Sequence, residues 1–160
     1  MTLRGAQNSA EVQQLLTDRF AAVASAQGGP PEIAIARHQE LARVLRDELQ
    51  YTIFGFVVAA HYPAVGQEKP EHLQVIYGLR SVGPGTRLAC WQLHVPTGTR
   101  VPTLVPLFAG ADWQEREQYD LVGVEFEGHP DLRRLMLAED WQGHPLRKDY
   151  AIDTQVHPWR

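Results

Sequence analysis

The sequence predicts an α+β domain in two layers, with two helices packed on one face of a mostly antiparallel sheet, followed by an extended, largely irregular C-terminal segment. Three observations lead there. Two segments with helical hydrophobic spacing lie ahead of residue 50, two runs alternating with period 2 flank a Gly-Pro-Gly turn at 83–85, and no period of either kind is sustained after Gly123. At 160 residues and 44% apolar content, the chain has the size of one domain with its own core. Residues 1–100 read as the α+β core, and 101–160 as a short charged helix plus an extended partner-binding segment of the same domain.

Asn8 and, three residues on, Glu11 have the spacing of an N-cap and its capping-box acid; Val12, Leu15, Leu16, Phe20 and Val23 then recur on one helical face. This helix is expected to stop at Gly28-Gly29-Pro30-Pro31, because Gly accepts the left-handed cap and Pro cannot continue the ladder. Residues 31–36 read as a short strand. Leu41, Val44, Leu45 and Leu49 mark one face of a second helix and leave Arg43 on the wet side.

Between 51 and 62 the chain turns β-branched and aromatic, with Ile53, Val57 and Ala59 on one face and Phe54, Phe56 and Val58 on the other, as in a strand covered on both sides. Next, Leu73, Val75, Tyr77 and Leu79 point inward, with His72, Gln74 and Arg80 outward. Ala89, Trp91, Leu93 and Val95 repeat the alternation on the way back, which makes an antiparallel hairpin. No parallel crossover unit is predicted after the second helix.

Cys90 is the only cysteine, so the chain cannot form an internal disulfide or supply a Cys-ligated cluster or zinc site alone; mid-strand, it reads as inert. The apolar run at 53–60 is far shorter than the ~20 residues a bilayer requires, and the N-terminus lacks a signal-peptide layout. A soluble, unexported, cytosolic chain is the expectation. Net charge is −4; residues 1–100 carry 9 Lys and Arg against 8 Asp and Glu, whereas 101–160 carry 6 against 11. That acidic third argues against nucleic acid as a partner.

The chemistry-bearing residues lie in the same third. Asp112 can cap a short helix over 113–122 that Gly123 stops, and Glu115, Arg116, Glu117 and Asp120 crowd it with charge. Arg116 and Asp120 are four apart, the spacing of a solvent-exposed ion pair, although three acids around one arginine also suit contacts with a partner chain. His129 and His144 each stand in Gly-His-Pro, followed by the basic pairs Arg133-Arg134 and Arg147-Lys148. Their spacing fits no metal pattern and reads as turn histidines bonded locally. A nucleophile elbow and phosphate loops are absent, so no catalytic residue, metal ligand or cofactor-binding residue is assigned. A stand-alone hydrolase pairing His129 or His144 with Glu115 or Glu117 is a remote alternative.

The run Glu115-Arg116-Glu117-Gln118-Tyr119-Asp120-Leu121-Val122, continued by His129 and Arg133-Arg134-Leu135-Met136, resembles the signature of the 30 kDa subunit of respiratory complex I, the bacterial NADH-quinone oxidoreductase. The stretch from Glu139-Asp140-Trp141-Gln142-Gly143-His144-Pro145 to Leu146-Arg147-Lys148-Asp149-Tyr150 is similar to that family's closing motif, and Pro102-Thr103-Leu104 resembles the segment before its charged helix. The resemblance implies a peripheral-arm subunit that binds no cofactor itself, while NADH, FMN, iron-sulfur clusters and quinone belong to the complex. It also implies a chief partner in the large 49 kDa-type subunit of the quinone site, membrane contact only through the complex, and a peripheral position on the cytoplasmic side of the inner membrane. Partner contacts are expected from Glu115, Arg116, Glu117, Asp120, His129, Arg133, Arg134, His144, Arg147 and Lys148. Matching subunits of membrane-bound hydrogenases and plastoquinone oxidoreductases share the signature, which leaves the electron donor open.

Overall fold

A computed structural model describes residues 9–25, 29–66, 68–82 and 86–151. Helix α1 (Ala10–Phe20) begins at Ser9, whose hydroxyl accepts the Val12 N–H at 3.4 Å; Ser9 caps in place of the expected Asn8, which lies outside the described residues. The helix also ends earlier than expected. Ala21 adopts a left-handed conformation (φ 48°) and sends its N–H to Leu16, and Val23, 66% exposed, turns away to bridge with Glu32 instead of extending the buried face of Val12, Leu16 and Phe20. A nearby pairing partner, not Gly-Pro chemistry, sets this boundary; Gly28 lies outside the described residues.

The expected strand at 31–36 is realised over its first half. Ile33 N–H donates to the Gln92 carbonyl (3.0 Å) and Gln92 N–H to Pro31 (2.9 Å); Ile35–Arg37 then tighten into a 3₁₀ turn that leads into helix α2 (His38–Asp47). Leu41 and Leu45 are buried on α2, and Leu49 packs against the core just beyond its end.

Strands β1 (Ile53–Tyr62), β2 (His72–Arg80) and β3 (Leu88–Pro96) form an antiparallel sheet in that order. The predicted inward rows of β2 and β3 are buried throughout. The Gly-Pro-Gly turn lies outside the described residues, and Ser81 N–H to the Arg87 carbonyl closes the chain on either side of it. β1 differs from expectation. A register shift between Phe54 and Phe56, at Gly55, moves Phe54 onto the core face beside Tyr77 and Phe108 and leaves Ile53 46% exposed. The outer face of β1 is open, since Val58 is 44% exposed. The inner sheet face meets α2 through His38, whose ring lies 4.4 Å from Tyr77 and accepts the Trp91 indole N–H at 3.1 Å. Burial alone pushes His38 down to about 3, so it stays neutral.

Helix α3 (Ala111–Val122) packs along β1, and Gly123 (φ 87°) ends it as predicted. Its N-cap is Gly110 rather than Asp112. Strands β4 (Val101–Pro102) and β5 (Phe126–Glu127) flank this helix and pair in parallel, forming a small crossover unit that no sequence period betrays because each strand has two residues. Residues 129–151 form a strap without regular secondary structure, lying over α3 and the far end of β1.

Candidate functional site

Three stripes of α3 hold three different parts of the chain, two of them through residues at i, i+4 spacing and one through Glu115 alone. Gln114 and Gln118 accept the backbone N–H groups of Val57 (3.2 Å) and Ala59 (2.9 Å), which caps the edge of β1. Glu115, fully buried, accepts the Thr103 hydroxyl at 2.5 Å and the Leu104 N–H at 2.8 Å, and thereby fixes the turn after β4. Burial pushes the Glu115 carboxyl up to about 7, against the pull of those two hydrogen bonds and with some help from the Asp112 charge.

The third stripe, Asp112, Arg116 and Asp120, receives the strap. His129 takes the Asp131 N–H on Nδ1 (3.1 Å), so its Nε2 carries the proton and points at the Asp112 carbonyl, 3.3 Å away. One turn on, the Arg116 guanidinium donates to the carbonyls of Arg133 (3.3 Å) and Arg134 (3.4 Å). After one further turn, Asp120 Oδ2 accepts the N–H groups of Leu135, Met136 and Leu137 at 3.0, 2.7 and 2.9 Å, while Oδ1 pairs with Arg134 at 2.7 Å. Burial raises the Asp120 pKa. The Leu137 N–H, the Arg134 guanidinium and the Met136 and Leu135 N–H groups outweigh it and bring the carboxyl down to about 2. At the helix end His144 Nδ1–H donates to the Asp120 carbonyl (2.9 Å), and Leu146 N–H donates to that of Leu121 (2.9 Å).

The exposed Arg116–Asp120 pair expected from spacing is therefore not what forms. Arg116 is 7% exposed and Asp120 fully buried, each engaged by the strap. Of the residues expected to face a partner, Glu115, Arg116 and Asp120 are enclosed within the chain, and Arg134 and His144 fasten the strap. Arg133 and Lys148 are exposed and Glu117 is half-buried, so these three remain available on the surface. The His129 ring takes a local bond from the Asp131 N–H, as expected, whereas the His144 ring bonds to the Asp120 carbonyl 24 residues away; the two Gly-His-Pro triplets dock at opposite ends of one helix. No hydrogen bond joins either histidine to Glu115 or Glu117 among the described residues, so the acid–base pair of a hydrolase is not assembled. Cys90 is buried, and burial pushes its thiol up to about 11.

The strap's far end is tied to a cluster that sequence reasoning missed. Arg147 donates to Glu71 and, at 2.9 Å, to Asp149, and its Nη2 lies 3.2 Å from the buried His61; His61 Nδ1 accepts the Lys148 N–H at 3.1 Å, and Nε2 pairs with Glu71 at 3.0 Å. His61, Glu71 and Asp149 bring ligand atoms within 4.8 Å of one another, the one such metal-compatible grouping among the described residues. Arg147 sits among them as the cluster's own cation. His61 and Glu71 carry no local signal, being ten residues apart, one on β1 and the other in the connection just before β2. Gln114 and Gln118 had one, their helical spacing beside an edge strand.

Residues 32–156 match the model of the family described as "Respiratory-chain NADH dehydrogenase, 30 Kd subunit". The chain is 37% identical over 126 residues to the C-type subunit of NADH-quinone oxidoreductase from Geobacter sulfurreducens, covering 78% of this chain and 76% of that protein. It is 40% identical over 115 residues to the same subunit from Streptomyces coelicolor, covering 70% of this chain and 44% of that longer protein. Among solved structures, a trypsin-resistant fragment (1-134) of Nqo5 superposes with a TM-score of 0.56 at 24% identity, covering 76% of this chain and 96% of the fragment. A chain of the membrane-bound sulfane sulfur reductase, an archaeal respiratory membrane complex, gives 0.70 at 21% identity, covering 89% of this chain and 84% of its own. Those two likenesses concern the fold, while the family model spans most of the sequence together with every residue of the α3 and strap contacts: the chain belongs to the respiratory-chain NADH dehydrogenase 30 kDa subunit family.

Proposed function

We propose that this chain is a cofactor-free scaffold subunit of an NADH-quinone oxidoreductase, a proton-translocating complex attached to the membrane through its other subunits. The observation that carries the reading is the use made of the family's charged signature. Arg116, Asp120 and Arg134 are directed to backbone groups and to each other and hold an irregular strap in one shape, while Glu115 fixes the turn after β4. Such a rigid strap of 23 residues (129–151) with exposed Arg133, Lys148, Met136 and Leu146 suits adhesion to another subunit. The large quinone-site subunit is the partner this reading favours, on the cytoplasmic face of the inner membrane. NADH, FMN, iron-sulfur clusters and quinone are bound by other chains of the complex.

Purification of the native complex through a tag on this chain tests the reading. Co-purification of NADH:quinone reductase activity with the chain is expected, with no flavin, metal or NADH oxidation in the chain alone. A stoichiometric flavin or metal in the isolated chain overturns it. A second reading, the equivalent subunit of a respiratory complex with another electron donor, draws on the 0.70 superposition with the archaeal complex. The electron donor used by the purified assembly separates the two.

A further inference from the structure

Between Arg80, exposed at one end, and the strap at the other, the open face of the sheet carries no Asp, Glu, Lys or Arg. From Phe56 to Tyr62 on β1, His72 to Gly78 on β2 and Cys90 to His94 on β3, no outward-facing position is Asp, Glu, Lys or Arg, although these make up 21% of the chain. Gly78, Cys90 and Gln92 are buried, and the eight remaining positions, as a solvated face, would ordinarily carry about two charged groups. The middle of this one is apolar: Val58 is 44% exposed, Ala60 is exposed beside it, Ile76 is half-buried across the strand pair, and the Phe56 ring lies over Gly78, where a Cβ would come within 2.4 Å of it. On the β3 side the face is closed by the chain near Gly29, which approaches the Gln92 side chain. At one end Tyr62, His72 and His94 form a row of rings, with Tyr62 stacked on His72 at 5.1 Å and His72 4.2 Å from His94. Lys148 of the strap sits 4.9 Å over the Tyr62 ring, so the neutral face and the strap are continuous.

We infer that this neutral sheet face, Phe56, Val58, Ala60 and Ile76 with the ring row at its end, is a docking surface for one uncharged, apolar helix or hairpin of a different subunit. The inference rests on the reading of the chain as a component of an assembly. Charge matching selects the chemistry, because a carboxylate or ammonium group buried over Phe56, Val58, Ala60 and Ile76 would lose its hydration, with the cations Arg80 and Lys148 standing only at the two ends of the face. Size selects the occupant. Three strands ~4.8 Å apart, spanning about seven, seven and five residues, present on the order of 300 Å², against the ~800 Å² per partner of an interface that stands alone. Two free copies of this chain would not hold together through it. A single element of a partner also gripped by the adjoining strap would.

The test uses the full chain inside the complex. Ala60→p-benzoyl-phenylalanine, irradiated in the assembled complex, is expected to cross-link to one other polypeptide of the assembly; cross-linking to a second copy of this chain, to lipid, or to nothing overturns the inference. In parallel, Val58→Arg is expected to leave the melting temperature of the isolated chain unchanged and to lower its recovery in the complex about tenfold, whereas the neutral Val58→Thr assembles normally. Full incorporation of Val58→Arg overturns the inference; should that variant melt early, the cross-link decides. If the tagged wild-type chain itself brings down no other subunit, the proposed function fails; if it does and Ala60 cross-links to none of them, the docking surface alone fails.

Discussion

Asp120 and Arg134 form a nearly enclosed ion pair, at 2.7 Å and with 0% and 15% of their side chains exposed, in which the carboxylate also gathers three consecutive backbone N–H groups of the strap. Removing one partner of such a buried pair strands the other. Asp120→Ala is expected to cost on the order of 3 to 5 kcal/mol in urea unfolding and to expose the amides of 135–137 to hydrogen exchange. Because the folded carboxyl titrates near 2, below its ordinary 3.8, its contribution is complete above about pH 4 and declines as the pH falls toward 2. Asp120→Asn should remove that part of the acid dependence, seen as a flatter stability curve below pH 4.

Glu115 has the opposite sign. Its folded pKa of about 7 lies above the ordinary 4.5, so the folded chain holds the extra proton between those values and loses stability as the pH rises through them. Glu115→Gln keeps both contacts, with the amide oxygen accepting from Leu104 and the amide N–H donating to Thr103. The variant is expected to lack a decline of roughly 3 kcal/mol that wild type shows between pH 4.5 and pH 8. Urea midpoints of both proteins across that range measure it, and parallel curves would refute it.

Gly123 is held at φ 87°, and a Cβ there would sit 2.8 Å from Cδ2 of His144. Gly123→Ala is expected to cost about 1 to 3 kcal/mol through strain and to push His144 off α3, losing protection of the Leu146 amide, which bonds to Leu121. Amide exchange read residue by residue distinguishes this local release from a general loss of stability.

The basic residues of the strap separate into two classes. Arg134 and Arg147 hold the chain's own groups, so Arg134→Ala and Arg147→Ala should lower the stability of the isolated chain, the former by about 2 to 4 kcal/mol. Arg133, 64% exposed and paired only with the nearby Asp131, should tolerate alanine within about 0.5 kcal/mol, as should Arg43 on the wet face of α2. A loss of complex yield in Arg133→Ala but not in Arg43→Ala would assign Arg133 to an interface.

What the sequence made legible follows from the range of each signal. The β2–β3 hairpin was readable because its alternation is strict and local, and the stop of α3 because Gly123 is the αL residue a helix end favours. The end of α1 was not, because Val23 is drawn off by pairing with Glu32, a contact no helical period announces. The face of β1 was misjudged for Ile53 and Phe54, since one bulged residue at Gly55 reverses every side chain before it. In the charged helix the sequence marks the charged residues but not their surroundings. Spacing places Arg116 and Asp120 on one face, and only the later chain, passing over that face, decides that they are buried.

The strap advances along α3 in step with the helix: 129 meets Asp112, 133 and 134 meet Arg116, 135–137 meet Asp120, and 144–146 meet the final turn. Having no ladder of its own, it takes its length from the helix it follows, much as a tape is read against a ruler. The interval between the two Gly-His-Pro triplets is thus a measurement of α3, whose 12 residues rise ~18 Å. One residue inserted between 129 and 134 would put the contacts of 133–137 out of phase with the helical turns, whereas 138–140, with no hydrogen bond to α3 among the described residues, offers slack in which an insertion can loop out.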